Sequence, residues 1–463
     1  MARTRTQAVT AAAAPVEGPW ELPDGWSWER LGTILPMSYG AALKASLRTK
    51  GGQVPVYGSA GITGYHDVAL TDESSLVVGR KGSAGAVYHA QGPSFAIDTA
   101  YYCTATAAAV DLRFGYHLLT FLNLRSLDQS TAVPSLSRDS YNSVVAPVPP
   151  VETQHRIVAR IDELFTELDD GEAALARAQD DLGIWRKALL KAAVTGELTA
   201  DWRAERAQSG QPIETGADLL HRILADRDSV AALRHGGRRR DKATEMPSPE
   251  QKQLLWEAPH SWAWAQLGNF AFVTKLAGFE YTKFVQYDDE GDLRVIKAEN
   301  AGKNGFKRTD FSRIKSTSVA ELTRSRLSGG ELLMVFVGAG TGNVGMVPDG
   351  EDFFLGPNIA MMRVETHLVI PRYVELFLRS PVGKSLAIAS MKAVAQPSLS
   401  MGTIRQIPIA MPPFDEQVEI LARLENALKL ATEFESEIAG HMEVSASLRQ
   451  SILSAAFRGN LVA

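Results

Sequence analysis

The sequence predicts an α+β protein in which two domains of mixed α/β type are joined by two long antiparallel coiled-coil helices in a pseudo-two-fold arrangement. Three observations support this fold class. A tryptophan-rich block occurs twice, a longer segment also occurs twice, and that longer segment has the heptad spacing of a coiled coil. We therefore interpret the chain as a tandem duplication.

The first repeat is the tryptophan-rich block, which reads WELPDGWSWERLG at residues 20–32 and WEAPHSWAWAQLG at residues 256–268. These blocks lie 236 residues apart and hold six of the eight tryptophans. The second repeat aligns residues 134–198 with residues 397–461 at an offset of 263 without a gap. The second copy therefore carries 27 extra residues between its shared blocks, which indicates a common framework around two different inserts.

The repeats divide the chain into six segments. We expect a flexible tail at residues 1–19, a first domain at 20–148, a first coiled-coil helix at 149–198, a connector at 199–255, a second domain at 256–411 and a second coiled-coil helix at 412–463. Within the connector, we expect a short helix near Asp218–Leu233 and then a polar, unstructured linker.

Each long repeated segment predicts one helix of about five heptads. Pro149-Pro150 and Pro412-Pro413 block extension towards the N-terminus, and Gly196 and Gly459 are placed to end the helices. Because the segments are equal in length and each has a narrow apolar seam, we expect them to pair with each other, antiparallel. The predicted seam residues are Ile157, Ile161, Leu164, Leu168, Leu175, Leu182, Trp185 and Leu189 in the first copy, and Ile420, Leu424, Phe434, Ile438, Leu448 and Ile452 in the second.

Composition and motifs give no indication of catalysis, a cofactor or a metal in this chain. Cys103 is the only cysteine, which excludes an intrachain disulfide and suggests a reducing cytoplasm. No apolar run approaches the roughly 20 residues of a membrane span. The glycine-rich residues 336–345 resemble a dinucleotide loop but run into a strand-like segment rather than a helix. The nine histidines lack metal-ligand spacing, and no Asn-Pro-Pro-aromatic motif of amino-methyltransferases occurs.

The net charge of −5 is unevenly distributed. Residues 152–206 hold 12 acidic and 8 basic side chains, whereas residues 275–326 hold 8 acidic and 11 basic ones. The acidic excess thus lies on the repeated helices. The basic excess in the second insert is compatible with contacts to phosphate.

Both inserts are expected to consist of short strands joined by glycine-rich turns, with strands in residues 54–67, 75–89, 293–311 and 331–347. Arg, Lys and Asn in or beside these turns are the side chains that read guanine and adenine edges, although solvated turn residues have the same composition. Together with Tyr and Ser of the turns and of the two Pro-Ser-Leu-Ser segments, the candidate DNA contacts are Tyr57, Ser59, Arg80, Lys81, Ser83, Ser135, Ser137, Lys297, Asn300, Lys303, Asn304, Lys307, Arg308, Asn343, Gln396, Ser398 and Ser400.

The order of these motifs resembles the specificity subunit of type I restriction–modification enzymes. The likeness rests on two inserts that are each closed by Pro-Ser-Leu-Ser, Pro-Pro-x-x-x-Gln and a long helix, and on VYGSAGITGYHD with VGRKGSAGAVY, which looks like a common type of target recognition domain. It implies a non-catalytic subunit whose two target recognition domains each read one half of a bipartite DNA sequence, while the helices set the spacing.

The resemblance also implies the partners. Two methyltransferase subunits, which bind S-adenosylmethionine, would dock on the helices and methylate adenine, and restriction subunits would add ATP- and magnesium-dependent cleavage.

The run Arg238-Arg239-Arg240 in the connector is interpreted as solvated linker, with contact to DNA phosphate as the alternative.

Two other functions share parts of this pattern. A regulator that binds a two-part operator alone would have the same architecture without enzymatic partners. A stand-alone methyltransferase would be an enzyme, and the missing Asn-Pro-Pro-aromatic motif opposes it.

Overall fold

The computed structural model describes residues 16–104, 110–128, 133–210, 214–235, 249–389 and 398–462. The first domain contains nine strands and three short helices within these ranges. They are β1 (Ser27–Arg30), α1 (Leu31–Ile34), β2 (Ser38–Tyr39), β3 (Val54–Gly58), β4 (Gly61–His66), β5 (Ser75–Gly79), β6 (Val87–Ala90), β7 (Phe95–Ala96), β8 (Ala100–Cys103), α2 (Leu112–Phe121), α3 (Arg138–Ser143) and β9 (Val145–Val148).

The first long helix and the connector follow. The helices are α4 (Val151–Thr195), α5 (Ala200–Gln208), α6 (Gly216–His235) and α7 (Pro249–Lys252). As predicted, α4 begins directly after Pro149-Pro150 and ends before Gly196, which has a φ of +87° that favours glycine. The predicted connector helix is α6, whereas residues 236–248, with the arginine run, lie outside the described residues.

The second domain and the second long helix complete the chain. The elements are β10 (Ala263–Gln266), β11 (Ala271–Lys275), α8 (Gly278–Phe284), β12 (Leu293–Ile296), β13 (Ala301–Gly302), β14 (Gly305–Phe306), β15 (Arg313–Ile314), β16 (Arg326–Leu327), β17 (Leu332–Val335), β18 (Val344–Met346), β19 (Phe353–Leu355), β20 (Ile359–Val364), α9 (Pro371–Arg379), α10 (Pro381–Ala389), α11 (Met401–Arg405), β21 (Pro408–Met411) and α12 (Phe414–Phe457). Among the described residues, no helix is both long and apolar enough to cross a membrane.

The chain divides into two compact units, and each unit takes one domain and a part of both long helices. Unit 1 comprises residues 1–177 and 437–463, and unit 2 comprises residues 178–436. Each unit is therefore built from both repeats.

Unit 1 is organised around a four-stranded antiparallel sheet in the order β2-β8-β5-β6. A three-stranded sheet β4-β3-β7 and the antiparallel pair β1-β9 complete its strands. The core between the sheet and the helices includes the end of α12, where the Phe457 ring lies 5.3 Å from the Phe114 ring and 5.1 Å from the Phe121 ring. The end of the second long helix is thus a core element of the first domain's unit.

Unit 2 contains an antiparallel sheet in the order β11-β20-β17-β18 and a second sheet in the order β15-β12-β19-β16, with the pairs β13-β14 and β10-β21. The connector belongs to its core, because Leu219 and Ile223 of α6 are fully buried there. Glu416 at the start of α12 is also fully buried, and it pairs with Arg203 of α5. We expected a connector that mainly returns the chain, whereas the structure makes α5 and α6 part of unit 2.

The two domains share one sheet topology, although their inserts are different in sequence. The orders β2-β8-β5-β6 and β11-β20-β17-β18 correspond strand for strand. The second domain places β12 to β16 between the first two strands of this sheet in the chain, where the first domain has only β3 and β4. The longer insert therefore adds a second sheet and a strand pair beside a common sheet.

The long helices pair antiparallel within each unit, as predicted. In unit 1, Arg449 forms ion pairs with Glu172 (3.1 Å) and Asp169 (2.5 Å). In unit 2, Arg186 forms an ion pair with Glu435 (2.7 Å). Within unit 1, Ser445 donates to Glu172 (2.5 Å) while Arg449 pairs with Asp169, and within unit 2, Arg423 donates to the Leu198 carbonyl (3.0 Å) while Glu435 pairs with Arg186. In each unit, residue numbers therefore rise along one helix as they fall along the other.

The seam differs from the prediction at three positions. Ile157, Ile161, Leu189, Ile420, Leu424 and Ile438 are buried, and Leu164, Leu168, Leu175, Leu182 and Ile452 are half-buried. Trp185, Phe434 and Leu448, however, are 41%, 48% and 44% exposed, respectively. The neighbouring Arg186, Glu435 and Arg449 face the partner helix instead. The displacement is local, because Leu189 and Ile438, the next predicted seam residues after Trp185 and Phe434, are buried again. At the three displaced positions a charged neighbour forms an ion pair with the other helix.

Candidate nucleic-acid interface

In the first domain, predicted contacts from two distant segments meet at one turn. Residues 80–83 form the turn after β5, and residues 134–137 of the Pro-Ser-Leu-Ser segment pack against it. The Leu136 amide donates to the Arg80 carbonyl (2.9 Å), and the two segments form a β-bridge. The predicted residues brought together here are Arg80, Lys81, Ser83, Ser135 and Ser137.

The second domain repeats this arrangement. The Leu399 amide donates to the Phe336 carbonyl (2.8 Å), and Val337 forms a β-bridge with Ser398. On the loop that follows, the Asn343 amide oxygen accepts a hydrogen bond from the Lys384 ammonium (3.0 Å). The predicted residues Asn343, Ser398 and Ser400 lie in this region, whereas Gln396 lies outside the described residues.

The last serine of each Pro-Ser-Leu-Ser segment caps a short helix. The Ser137 hydroxyl accepts a hydrogen bond from the Ser140 amide, and the Ser400 hydroxyl accepts one from the Thr403 amide, both at 3.0 Å. A serine at this position satisfies one of the free amides at a helix start. These two serines therefore hold the turn in place.

Asn300 is not available to DNA. It is 1% exposed, and its side chain accepts from the Lys297 amide (2.8 Å) while donating to the Lys307 carbonyl (3.1 Å). Both the oxygen and the nitrogen of its side-chain amide are thus hydrogen-bonded within its own loop. Its prediction as a base contact overlooked this structural use, because a buried amide needs internal partners.

Tyr57 is also a core residue, since it is 9% exposed and belongs to a buried cluster with Val77. Burial raises the pKa of its hydroxyl above the ordinary value. Ser59, at the end of the same strand, is half-buried. The Tyr57 side chain thus packs in the core and is not placed to contact DNA.

The cations of the second insert differ in how far they are neutralised. Glu351 pairs with Arg308 and with Arg294 (2.7 Å), and hydrogen bonding by Arg308 holds the pKa of Glu351 at about 2. The Lys297 ammonium donates to the Ser312 hydroxyl (2.6 Å). Among the predicted contacts of this insert, Lys303, Asn304 and Lys307 are exposed and take no part in these pairings.

Three contacts between an aromatic ring and a cation lie beside the turns, and four of the five side chains in them are not among the DNA contacts predicted from the sequence. In the first domain, the Arg80 guanidinium lies 5.4 Å from the centre of the Tyr39 ring, and Arg138 lies 5.8 Å from it on the same ring. In the second, the Lys275 ammonium lies 4.9 Å from the centre of the Phe336 ring. The only sequence feature that could have pointed to any of these four residues is that Arg138 directly follows Pro-Ser-Leu-Ser.

The family model for the type I restriction modification DNA specificity domain matches residues 23–175 and 259–441. The two matches include both domains, both Pro-Ser-Leu-Ser turns and most of both long helices. The chain belongs to this family. As a specificity subunit it has no catalytic role of its own.

Known specificity subunits support this assignment along most of the chain. The chain is 24% identical to the EcoBI specificity subunit of Escherichia coli over 391 residues, which are 84% of this chain and 74% of that protein. The fold is similar to that of the HsdS subunit of Thermoanaerobacter tengcongensis, with a TM-score of 0.53 and coverage of 96% and 99% at 16% identity. A chain from a structure on complex assembly and conformational transition of a type I restriction–modification system gives a TM-score of 0.59 at 16% identity, with coverage of 96% and 100%.

Proposed function

We propose that this chain directs adenine methylation to a bipartite DNA sequence, with each target recognition domain reading one half and the paired helices setting the spacing. One observation carries the proposal. The same sheet and the same Pro-Ser-Leu-Ser turn occur in both domains, and each turn lies beside a ring–cation contact, that of Arg80 in the first domain and that of Lys275 in the second. Two copies of one reader on a common frame are what a two-part site requires.

We further propose that methyltransferase subunits dock on the long helices, one on each unit. Each unit leaves large apolar side chains exposed there, with Trp185, Leu430 and Phe434 in unit 2 and Val444 and Leu448 in unit 1. Exposed aromatic and aliphatic side chains close together are typical of protein interfaces. S-adenosylmethionine would bind to those partners, and ATP and magnesium to restriction subunits, in the cytoplasm.

A regulator that binds a two-part operator without enzymatic partners is the second candidate. The proteins that this chain resembles are described as subunits of restriction enzymes, which favours the specificity role. The exposed apolar side chains on the helices also favour a subunit that works with partners, because a regulator that acts alone has no need of them.

The experiment is a genome-wide map of N6-methyladenine in strains with and without this gene, and in a strain whose gene has residues 33–133 replaced by those of a related subunit. We expect one bipartite motif that depends on the gene, and a replacement that changes only one half of it, because base contacts are local to each reader. Incorporation of labelled methyl groups by the purified chain alone serves as the control for catalysis, and we expect none.

Three results would contradict the proposal. A map with no motif that depends on the gene would remove the specificity role. A replacement that altered both halves would show that the domains do not read independently. Methyl transfer by the isolated chain would make it an enzyme.

A further inference from the structure

The strand register identifies equivalent positions in the two recognition domains. In unit 1, Tyr101 of β8 pairs with Tyr39 on one side and with Val78 on the other. In unit 2, Ala360 of β20 pairs with Lys275 on one side and with Met334 on the other. With Tyr101 matched to Ala360, Tyr39 corresponds to Lys275. Arg80 lies two residues after Val78, and Phe336 lies two residues after Met334. Arg80 and Phe336 therefore occupy equivalent positions.

The Pro-Ser-Leu-Ser turns fix this match between the domains, because strand pairing alone fixes only the relative positions within each sheet. The amide of the leucine in this turn donates to the carbonyl of Arg80 in unit 1 and to the carbonyl of Phe336 in unit 2. The two positions thus carry a ring and a cation in both domains, but in exchanged order. Tyr39 is the ring and Arg80 the cation in unit 1, whereas Lys275 is the cation and Phe336 the ring in unit 2.

Packing alone does not explain a cation at these positions. Tyr39 is 52% exposed, and Lys275 is also exposed, so that neither side chain fills the core. Within the described part of the chain, neither Arg80 nor Lys275 has a carboxylate within 4.0 Å, whereas Arg308 is neutralised by Glu351. The positive charges at the pairs are therefore available to an anionic partner.

The Arg80 guanidinium is moreover held in position without losing its charge. Its Nε and Nη2 atoms donate to the Asp98 carbonyl at 3.1 and 2.7 Å, and the Tyr39 ring supports one face. A cation fixed before binding loses less conformational entropy when it meets its target. Arg and Lys recognise guanine edges in the major groove, and an aromatic side chain can contact the methyl group of thymine.

We propose that the ring–cation pairs Tyr39–Arg80 and Lys275–Phe336 are specificity-determining elements, each reading base edges in one half of the DNA site. This inference rests on the proposed function and names the residues that carry it. Because ring and cation are exchanged between the domains, the two pairs present the same chemical groups in opposite order to the DNA. The domains thus read different bases with one device.

The test exchanges the chemistry at these positions and measures the methylated sequence. The double variant Tyr39→Lys with Arg80→Phe places the unit 2 pair into unit 1, and Arg80→Ala removes its cation. Each variant is expressed with its methyltransferase subunits, its N6-methyladenine motif is mapped, and its complex is titrated with duplexes that carry the wild-type motif or single-base changes. Lys283→Ala is the matched control, since the Lys283 ammonium lies 4.7 Å from the centre of the Phe284 ring in a ring–cation contact that belongs to neither pair.

We expect Arg80→Ala to weaken binding to the wild-type motif by about 5-fold to 150-fold, which corresponds to about 1–3 kcal/mol at 1.4 kcal/mol per tenfold change. Affinity for duplexes changed at the contacted base should fall less, which relaxes the motif in one half only. The exchange variant should shift that same half, and Lys283→Ala should leave both halves unchanged.

An unchanged motif in both the exchange variant and Arg80→Ala would overturn the inference, whether affinity stays the same or falls equally for all duplexes. The second result would assign the pair to phosphate contacts, which weaken binding of all sequences alike. The proposed function is tested separately by the wild-type strain, because its failure would leave no motif that depends on the gene.

Discussion

At the scale of single residues, the buried carboxylate of Glu416 joins three segments of unit 2. It accepts hydrogen bonds from the Trp262 indole (2.9 Å) and the Thr199 hydroxyl (2.7 Å) and pairs with Arg203. We expect Glu416→Ala to lower the free energy of unfolding of unit 2 by about 3 kcal/mol, because the change leaves a largely buried arginine without its partner. Urea denaturation followed by tryptophan fluorescence measures this loss.

The adjacent Asp415 provides the control for that prediction. It pairs with Arg206 (2.9 Å), but both side chains are well exposed. Asp415→Ala should therefore change the free energy of unfolding by no more than about 1 kcal/mol. Equal losses for the two variants would refute the special role of Glu416.

His117 makes unit 1 sensitive to acid. Burial lowers the pKa of His117, although the Asp162 carboxylate lies 3.2 Å from its ring. In the unfolded chain its pKa is about 6.5. As the pH falls below that value, the unfolded state binds a proton that the folded state does not, so the free energy of unfolding decreases. Denaturation curves between about pH 5 and pH 8 should show a smaller decrease for His117→Gln than for the wild type, and equal slopes would disprove this.

At the scale of secondary structure, one interhelical ion pair occurs twice. Arg186 and Glu172 match Arg449 and Glu435 at the repeat offset of 263, and each arginine pairs with the glutamate of the other repeat. We expect Arg449→Glu to destabilise unit 1 and Glu172→Arg to restore part of the loss. In a double-mutant cycle, the coupling energy should be about 1 kcal/mol, since the pair is only partly exposed.

A second ion pair on the same helix is the control for that cycle. Lys429 and Glu433 lie one turn apart on α12 at 3.9 Å, and both are mostly exposed. Their coupling energy should not exceed about 0.5 kcal/mol. A coupling at Arg449 no larger than this would show that the interhelical pair does not stabilise the register.

At the scale of the whole molecule, the ion pairs make a controlled change of helix length possible. One heptad inserted in α4 between Glu172 and Arg186, and another in α12 between Glu435 and Ser445, keeps both ion pairs in register. Each helix then grows by about 10 Å at 1.5 Å per residue, or about three base pairs at 3.4 Å each. If the helices set the spacing, both halves of the methylated motif should stay unchanged, and the unspecified spacer should grow by about three base pairs.

The matched control is the same heptad in α4 alone. It moves Arg186 away from its partner on the other helix while leaving both recognition domains intact, and we expect loss of methylation or a heterogeneous spacer. An active paired insertion with an unchanged spacer would rule out the helices as the spacing element.

The sequence by itself determined the parts of this protein that depend on local signals. The repeats predicted two domains on a common frame, and the prolines and glycines predicted where α4 begins and ends. The glycine-rich segments predicted the strands β3 to β6, because alternation and turn residues act within a few positions of each other. The Pro-Ser-Leu-Ser repeat also marked the turns beside which some of the candidate contacts lie, among them Arg80 and Lys81.

Only the tertiary structure decided which side chains of those elements face a partner. Arg186 and Arg449 face the other helix in place of Trp185 and Leu448, because each forms an ion pair with a glutamate of the other repeat, 263 residues removed from its own counterpart. The equivalence of Tyr39 and Lys275 follows from pairing between strands that are far apart in the chain, where no shared sequence remains. Burial and register are properties of contacts over long distances in sequence, and periodicity within one segment does not contain them.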